Sequence, residues 1–263
     1  MIVTHLFKKN EKVISTDIVE EISHVFLENY LYLDKIDLDV FIERVYSQKW
    51  TISKLNQYFS NIRHDPYTKI FKATEYVSAT NLEYLDLLNG VFYIKIRDFY
   101  DIENIAMLLQ KKKYQHLIVD LTDNVGGYVK NVIYLAALLT PQEDFVELKY
   151  RDKTKMLKRG DVNCINIPKI TLFTSENTVS CGEIFTYLIM EFHNNSLLIG
   201  CKTYGKSSGQ VTWDNRKYGI KFVVTAYIWY INGMDCKTLQ KKYIKYFSDI
   251  QYNRDLFIMT ILD

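Results

Sequence analysis

Apolar residues recur every three or four positions over three early stretches. Ile18, Ile22, Val25 and Phe26 form the first. Leu38, Phe41, Ile42, Val45 and Tyr46 form the second, and Ile52, Leu55, Tyr58, Phe59 and Ile62 the third. That spacing predicts three amphipathic helices whose stripes face a core. Asp17 followed by Glu20 resembles a capping box with Asp in the Ser/Thr role. Residues 1–15 read as a loose arm or short strand. Asp65-Pro66 stops the third helix near His64, because the residue before proline avoids helical backbone angles. Asp65-Pro66-Tyr67-Thr68 reads as a turn. Residues 72–90 are polar, and Leu82, Leu85, Leu87 and Leu88 suggest one weak helix closed by Gly90.

From Val91 the texture changes. Residues 91–96 are rich in β-branched and aromatic side chains and predict a strand. Asp101 precedes a helical stripe of Ile102, Ile105, Ala106 and Leu109. Residues 117–121 predict a buried strand, Gly126-Gly127 a tight turn, and Val132, Leu135, Ala136 and Leu139 the next helix. Strands are expected at 145–150, 168–174 and 197–199, with a helix at 182–193. A long alternating strand runs from Lys221 to Tyr230 and ends at an Asn232-Gly233 turn. A last helix carries Leu256, Phe257, Met259 and Ile261. Strands alternating with helices predict an α/β core whose sheet faces are covered.

Composition narrows the function. The 263 residues suit one large domain or a core with a small appendage, and 48% hydrophobic with 24% charged residues is a globular balance. A net charge of +2 gives no electrostatic case for nucleic acid. No apolar run reaches the length of a membrane span, and residues 1–9 lack the pattern of a secretory signal. Cys164, Cys181, Cys201 and Cys236 are widely spaced, without a zinc-type pair, and fit reduced thiols in a cytoplasm.

The chemistry gathers around residues 170–192. An apolar run, Ile170 to Phe173, leads through a polar turn to a helix-period stripe starting at Glu183. Ser180 is thus placed at a strand–turn–helix junction, where free backbone N–H groups favour negative charge. It can serve as a helix cap or as a nucleophile whose reaction develops an oxyanion. Residues Gly200 to Ser207 spell G-x-x-x-x-G-K-S, the phosphate-loop pattern. That motif needs a helix from Lys206, and Ser208 to Trp213 read instead as turn and strand. Lys206 can alternatively serve Ser180 as general base, if burial among Val179, Ile184, Tyr204 and Trp213 depresses its pKa. The five histidines are scattered and offer no better base; His64 and His116 read as polar edge residues.

Four collinear segments resemble the carboxyl-terminal processing, or tail-specific, proteases, a family of Ser–Lys peptidases. They are Asn61 to Thr68 with its Asp65-Pro66-Tyr67-Thr68 turn, Leu117 to Gly127, Val179 to Ile184, and Ile199 to Lys206. The resemblance covers about residues 50–233. It implies a serine endopeptidase with Ser180 as nucleophile, Lys206 as base and Gln210 orienting the lysine. It further implies an oxyanion hole from Gly126 or Gly127 with Cys181, and supporting roles for Glu183 and Thr203. No metal or cofactor is implied. The implied fold is a mixed α/β, crotonase/Clp-protease-like β-β-α core over residues 91–263, after a helical region at 1–71 and a linker at 72–90. That linker stands where the family carries a PDZ domain. Thr122, Gly182 and Cys201 depart from the family's usual Arg, Ser and Glu. The expected partner is an unstructured peptide or precursor in the cytoplasm, with an accessory recognition protein as an alternative. An inactive peptide-binding scaffold and a nucleotide-binding protein are the rival readings.

Overall fold

The structure is a computed structural model and describes residues 12–72 and 83–243. The expectations for residues 1–11, Leu82 and a helix at Leu256–Ile261 lie outside these residues. In chain order the elements are α1 (Thr16–Asn29), α2 (Leu38–Tyr46), α3 (Ile52–Asn61), β1 (Lys69–Lys72), β2 (Glu83–Asp86), β3 (Val91–Lys95) and α4 (Glu103–Gln110). There follow β4 (His116–Asp120), α5 (Val129–Leu139), β5 (Asp144–Tyr150), β6 (Thr154–Lys158), β7 (Lys169–Thr174) and α6 (Cys181–Phe192). The last are β8 (Ser196–Gly200), β9 (Ser208–Asn215), β10 (Ile220–Tyr230) and α7 (Cys236–Tyr243). No helix among the described residues is long and apolar enough to cross a membrane.

These elements form two compact units. The first holds α1–α3, β1, most of β9 and β10 as far as Tyr227. Its core joins Ile18, Ile22 and Phe26 of α1, Phe41 and Val45 of α2, Leu55 and Phe59 of α3, and Phe222 and Val224 of β10. The α2 stripe is narrower than its sequence suggests: Leu38, Ile42 and Tyr46 stand exposed. Phe41 and Val45, four residues apart, are the face this short helix buries. The expected capping box is also absent from α1. Ser15 is the N-cap without a side-chain bond, and Asp17 lies in the first turn, where its charge suits the helix dipole. The 65–68 turn ties β1 to β10. Asp65 accepts from Tyr67 N at 2.9 Å and Thr68 Oγ1 at 2.7 Å, and Thr225 N donates to Thr68 Oγ1 at 3.0 Å.

The second unit is built on a sheet ordered β2-β3-β4-β7-β8. β2 is antiparallel to β3, and the other pairs are parallel. Every residue of β3 and β4 is buried, the pattern of a parallel sheet covered on both faces. The weak helix expected before Gly90 is instead the strand β2, with all four side chains exposed. An edge strand is defined by main-chain pairing on one side, so its side chains need no apolar period. The hairpin strand β6 and the helix α7 have no counterpart in the sequence reading. β6 presents mostly exposed, charged side chains, so burial leaves no mark on it. α5 is buried on nearly its whole circumference and packs on α6.

Register levels the carboxyl ends of the parallel strands: Lys95 pairs with Asp120, and Asp120 with Phe173. The loops after β4 and β7 therefore emerge side by side, at the end where open α/β sheets place their ligands.

Candidate active site

Ser180 precedes α6 with φ 57° and ψ −114°. An ordinary N-cap is extended, so this is not a simple cap. A non-glycine residue in such a conformation costs about 1–3 kcal/mol and needs surroundings that enforce it. Two groups do so. Val179 N donates to Asn124 O at 2.9 Å, and Ser180 N donates to Glu183 Oε2 at 2.8 Å.

Glu183 is fully buried and forms the hub. Its Oε2 accepts from Ser180 N and, at 3.0 Å, from Lys206 N. Its Oε1 accepts from Thr203 Oγ1 at 2.7 Å, Gly205 N at 2.6 Å and Cys236 Sγ at 3.2 Å. Two nitrogens bonded to one oxygen at these lengths lie less than about 6 Å apart. One carboxylate thus brings together Ser180 and Lys206, which are far apart in sequence. The site needs no ion pair for this: main-chain N–H groups, a hydroxyl and a thiol satisfy the charge.

The glycine loop after β4 lies against the serine. A Cβ on Gly126 would lie 3.1 Å from Ser180 Cβ and 3.4 Å from Cys181 N. A Cβ on Gly127, with φ 140°, would lie 2.7 Å from the Phe99 backbone, so only glycine fits. The Gly126 N–H donates to Asn124 Oδ1 at 2.9 Å and is committed there. The N–H groups of Gly127 and Cys181 donate to no group among the described residues. Cys181 Sγ contacts Gly127 O at 3.2 Å. Burial pushes the Cys181 thiol up to about 12, against the opposing pull of the Lys206 charge. It is therefore inert as a nucleophile.

The remaining expected residues divide. Thr203 is buried and joined to Glu183. Lys206 is half-buried, and its carbonyl accepts from Trp229 Nε1 at 3.0 Å. The dry pocket expected around Lys206 is incomplete, because Tyr204 is 56% exposed. Gln210 and Trp213 lie on β9 in the first unit, whereas Ser180 and Lys206 belong to the second. The Gly200–Ser207 loop does not have phosphate-loop form. A strand, not a helix, begins at Ser208, and the Gly205 and Lys206 N–H groups point at Glu183. His116 begins β4 at the opposite end of the sheet, with Nε2 2.9 Å from Thr171 Oγ1. His193 caps the far end of α6, about 18 Å along the helix from Ser180.

Sequence reading assigned no role to Asn124, Cys236 or Gln240. Asn124 is fully buried; its Nδ2 donates to Ile96 O at 2.8 Å while Oδ1 holds Gly126. Cys236 and Gln240 lie four residues apart on one face of α7, a spacing that could have marked them had the helix been recognised. Beside the glycine loop, buried Lys95 bonds Asp123 Oδ2 at 2.6 Å and Thr122 Oγ1 at 3.3 Å. Lys95 holds the Asp123 carboxyl below the usual carboxylate range.

Fold and site together define a mixed α/β protein in which a serine on a strained strand–turn–helix junction is locked to a lysine-bearing loop. The profile of Peptidase family S41 matches residues 90–246, more than half of the chain, and the chain belongs to that family. It is similar to a tail-specific protease of Haemophilus influenzae, with 29% identity over 129 residues. That match covers 46% of this chain and 18% of the relative, so the chain spans only a small part of the relative's length. Its fold is similar to the structure of a lipoprotein from Streptococcus agalactiae, with a TM-score of 0.68 and 16% identity, over 86% of this chain and 90% of that one. It is also similar to a Bacteroides fragilis structure described as an S41 protease, with a TM-score of 0.52 and 15% identity, over 70% and 58%. The resemblance read from the four collinear segments thus holds.

Proposed function

We propose that this protein is a serine endopeptidase working through Ser180 and Lys206. The observation that carries the reading is the sharing of Glu183 Oε2 by the backbone N–H groups of these two residues. Neutral Lys206 takes the Ser180 proton as Oγ attacks a peptide carbonyl. The oxyanion that develops is met by the N–H groups of Gly127 and Cys181. Lys206 then gives the proton to the leaving amine, and as base again activates the water that releases the acyl group. The substrate is an extended, unstructured peptide or precursor segment. All four cysteines are free thiols, which supports a reducing, cytoplasmic setting.

Substitution of either residue tests this. Ser180→Ala and Lys206→Ala should each lower kcat on a cleaved peptide by about 10⁴-fold or more, with circular dichroism unchanged. The double variant should lose little beyond either single one, since the pair acts as a unit. Lys206→Arg should be inactive, because a guanidinium stays charged. In the wild type, kcat/KM should rise with pH through an apparent pKa below that of free lysine, about 10.4. Variants as active as wild type would end the dyad assignment.

A further inference from the structure

The Thr203 hydroxyl has one proton and two lone pairs. The proton goes to Glu183 Oε1 at 2.7 Å, because a carboxylate only accepts. Tyr187 OH, 3.1 Å away, must then donate to Thr203. Burial keeps that phenol above its ordinary pKa and protonated. The second lone pair is taken by Gln240 Nε2 at 2.9 Å, which also donates to Thr203 O at 2.9 Å. Only an amide nitrogen can donate to that carbonyl, so the orientation of the Gln240 side chain is fixed by its partners. Gln240 is 3% exposed, and its helix is fastened to the end of α6. There Glu191 accepts from Lys242 at 2.5 Å, Tyr243 OH at 2.6 Å and Asn232 Nδ2 at 3.0 Å.

We propose that Gln240 is a positioning residue for Lys206, acting through Thr203. It saturates the Thr203 hydroxyl so that the single proton is directed at Glu183. Glu183 is thereby satisfied by neutral donors, and Lys206 is not drawn onto it as a counter-ion. The titratable groups bonded to this cluster are Glu183 and Tyr187 from α6 and Cys236 from α7, with Cys181 beside the Lys206 charge. Without Gln240 the Thr203 proton can turn away. Glu183 then loses a donor, and an under-satisfied anion, whose Oε2 already holds the Lys206 main-chain N–H at 3.0 Å, favours the charged form of that lysine.

The proposal rests on Lys206 as the base, and the test separates the two. In Gln240→Met, kcat should fall about tenfold with KM within about twofold. The acid limb of kcat should move to higher pH. Lys206 is followed independently of turnover in protein with ¹³C-dimethylated lysines, its resonance assigned by its loss in Lys206→Ala. Its titration should move upward with the limb. Wild-type kcat, limb and Lys206 titration in the variant would overturn the proposal. If Lys206→Ala is fully active, the dyad fails, and an unchanged Lys206 titration in Gln240→Met then overturns the brace as well, while an upward move sustains it. Should Gln240→Met not fold, Gln240→Leu, which also removes both donors and adds no charge, is judged by the same measurements.

Discussion

Gly182, at the second position of α6, lies against Asn124. A Cβ there would come within 2.7 Å of Asn124 Oδ1 and 3.1 Å of its Cγ. The amide cannot swing aside, because Ile96 O and Gly126 N hold it from both ends. The glycine that replaces the family's usual serine thus follows from the closeness of the glycine loop to α6. In an unobstructed helix, glycine to alanine stabilises by about 1 kcal/mol. Here the sign should reverse: Gly182→Ala should destabilise by about 1–3 kcal/mol in urea unfolding. It should also reduce kcat, since displacing Asn124 releases Gly126. A stabilised, fully active variant would show that the contact is soft.

At the scale of elements, the parallel strands place chemistry at one end and pure structure at the other. His116 opens β4 at the structural end. Burial, with help from the Lys169 charge, lowers its pKa from 6.5 to about 4. Between those values the unfolded chain binds a proton that the folded chain refuses. Stability from this residue is therefore complete above about pH 6.5 and is lost as pH falls towards 4, amounting to about 3 kcal/mol. His116→Asn should flatten that part of the curve of urea midpoint against pH. An equally steep acid limb in the variant would assign it to other groups. The kcat/KM profile above pH 7 should be untouched, because His116 and Ser180 lie at opposite ends of the sheet.

At the scale of the molecule, only about twenty residues separate β1 from β3, and four of them form the edge strand β2. No module able to grip a substrate's carboxylate at a distance fits in that interval. Main-chain pairing along a strand edge remains available for binding an extended peptide. We therefore expect purified protein to cleave unstructured peptides with amidated C-termini nearly as well as those with free carboxylates, by mass spectrometry of the products. A strict need for the free terminus, or no cleavage until a second protein is added, would defeat this expectation.

The sequence by itself determined the elements whose burial leaves a period or an apolar run. These are the helices α1 to α6, the strands from β3 to β8 other than β6, and β10, together with the junction that carries Ser180. It also marked the residues now gathered at the site, because Ser180, Glu183, Thr203 and Lys206 occur in compact motifs. It could not mark β2 and β6, which exist through main-chain pairing to neighbours rather than through their own side chains. Nor could it decide which hydrogen bonds a motif residue makes. That Asn124 takes the Gly126 N–H, that Glu183 joins two loops, and that α7 returns to hold Thr203 are matters of where distant segments meet. Local periodicity records how much of a residue is buried, whereas a hydrogen bond depends on which partner lies within about 3 Å. Only the tertiary structure sets that distance.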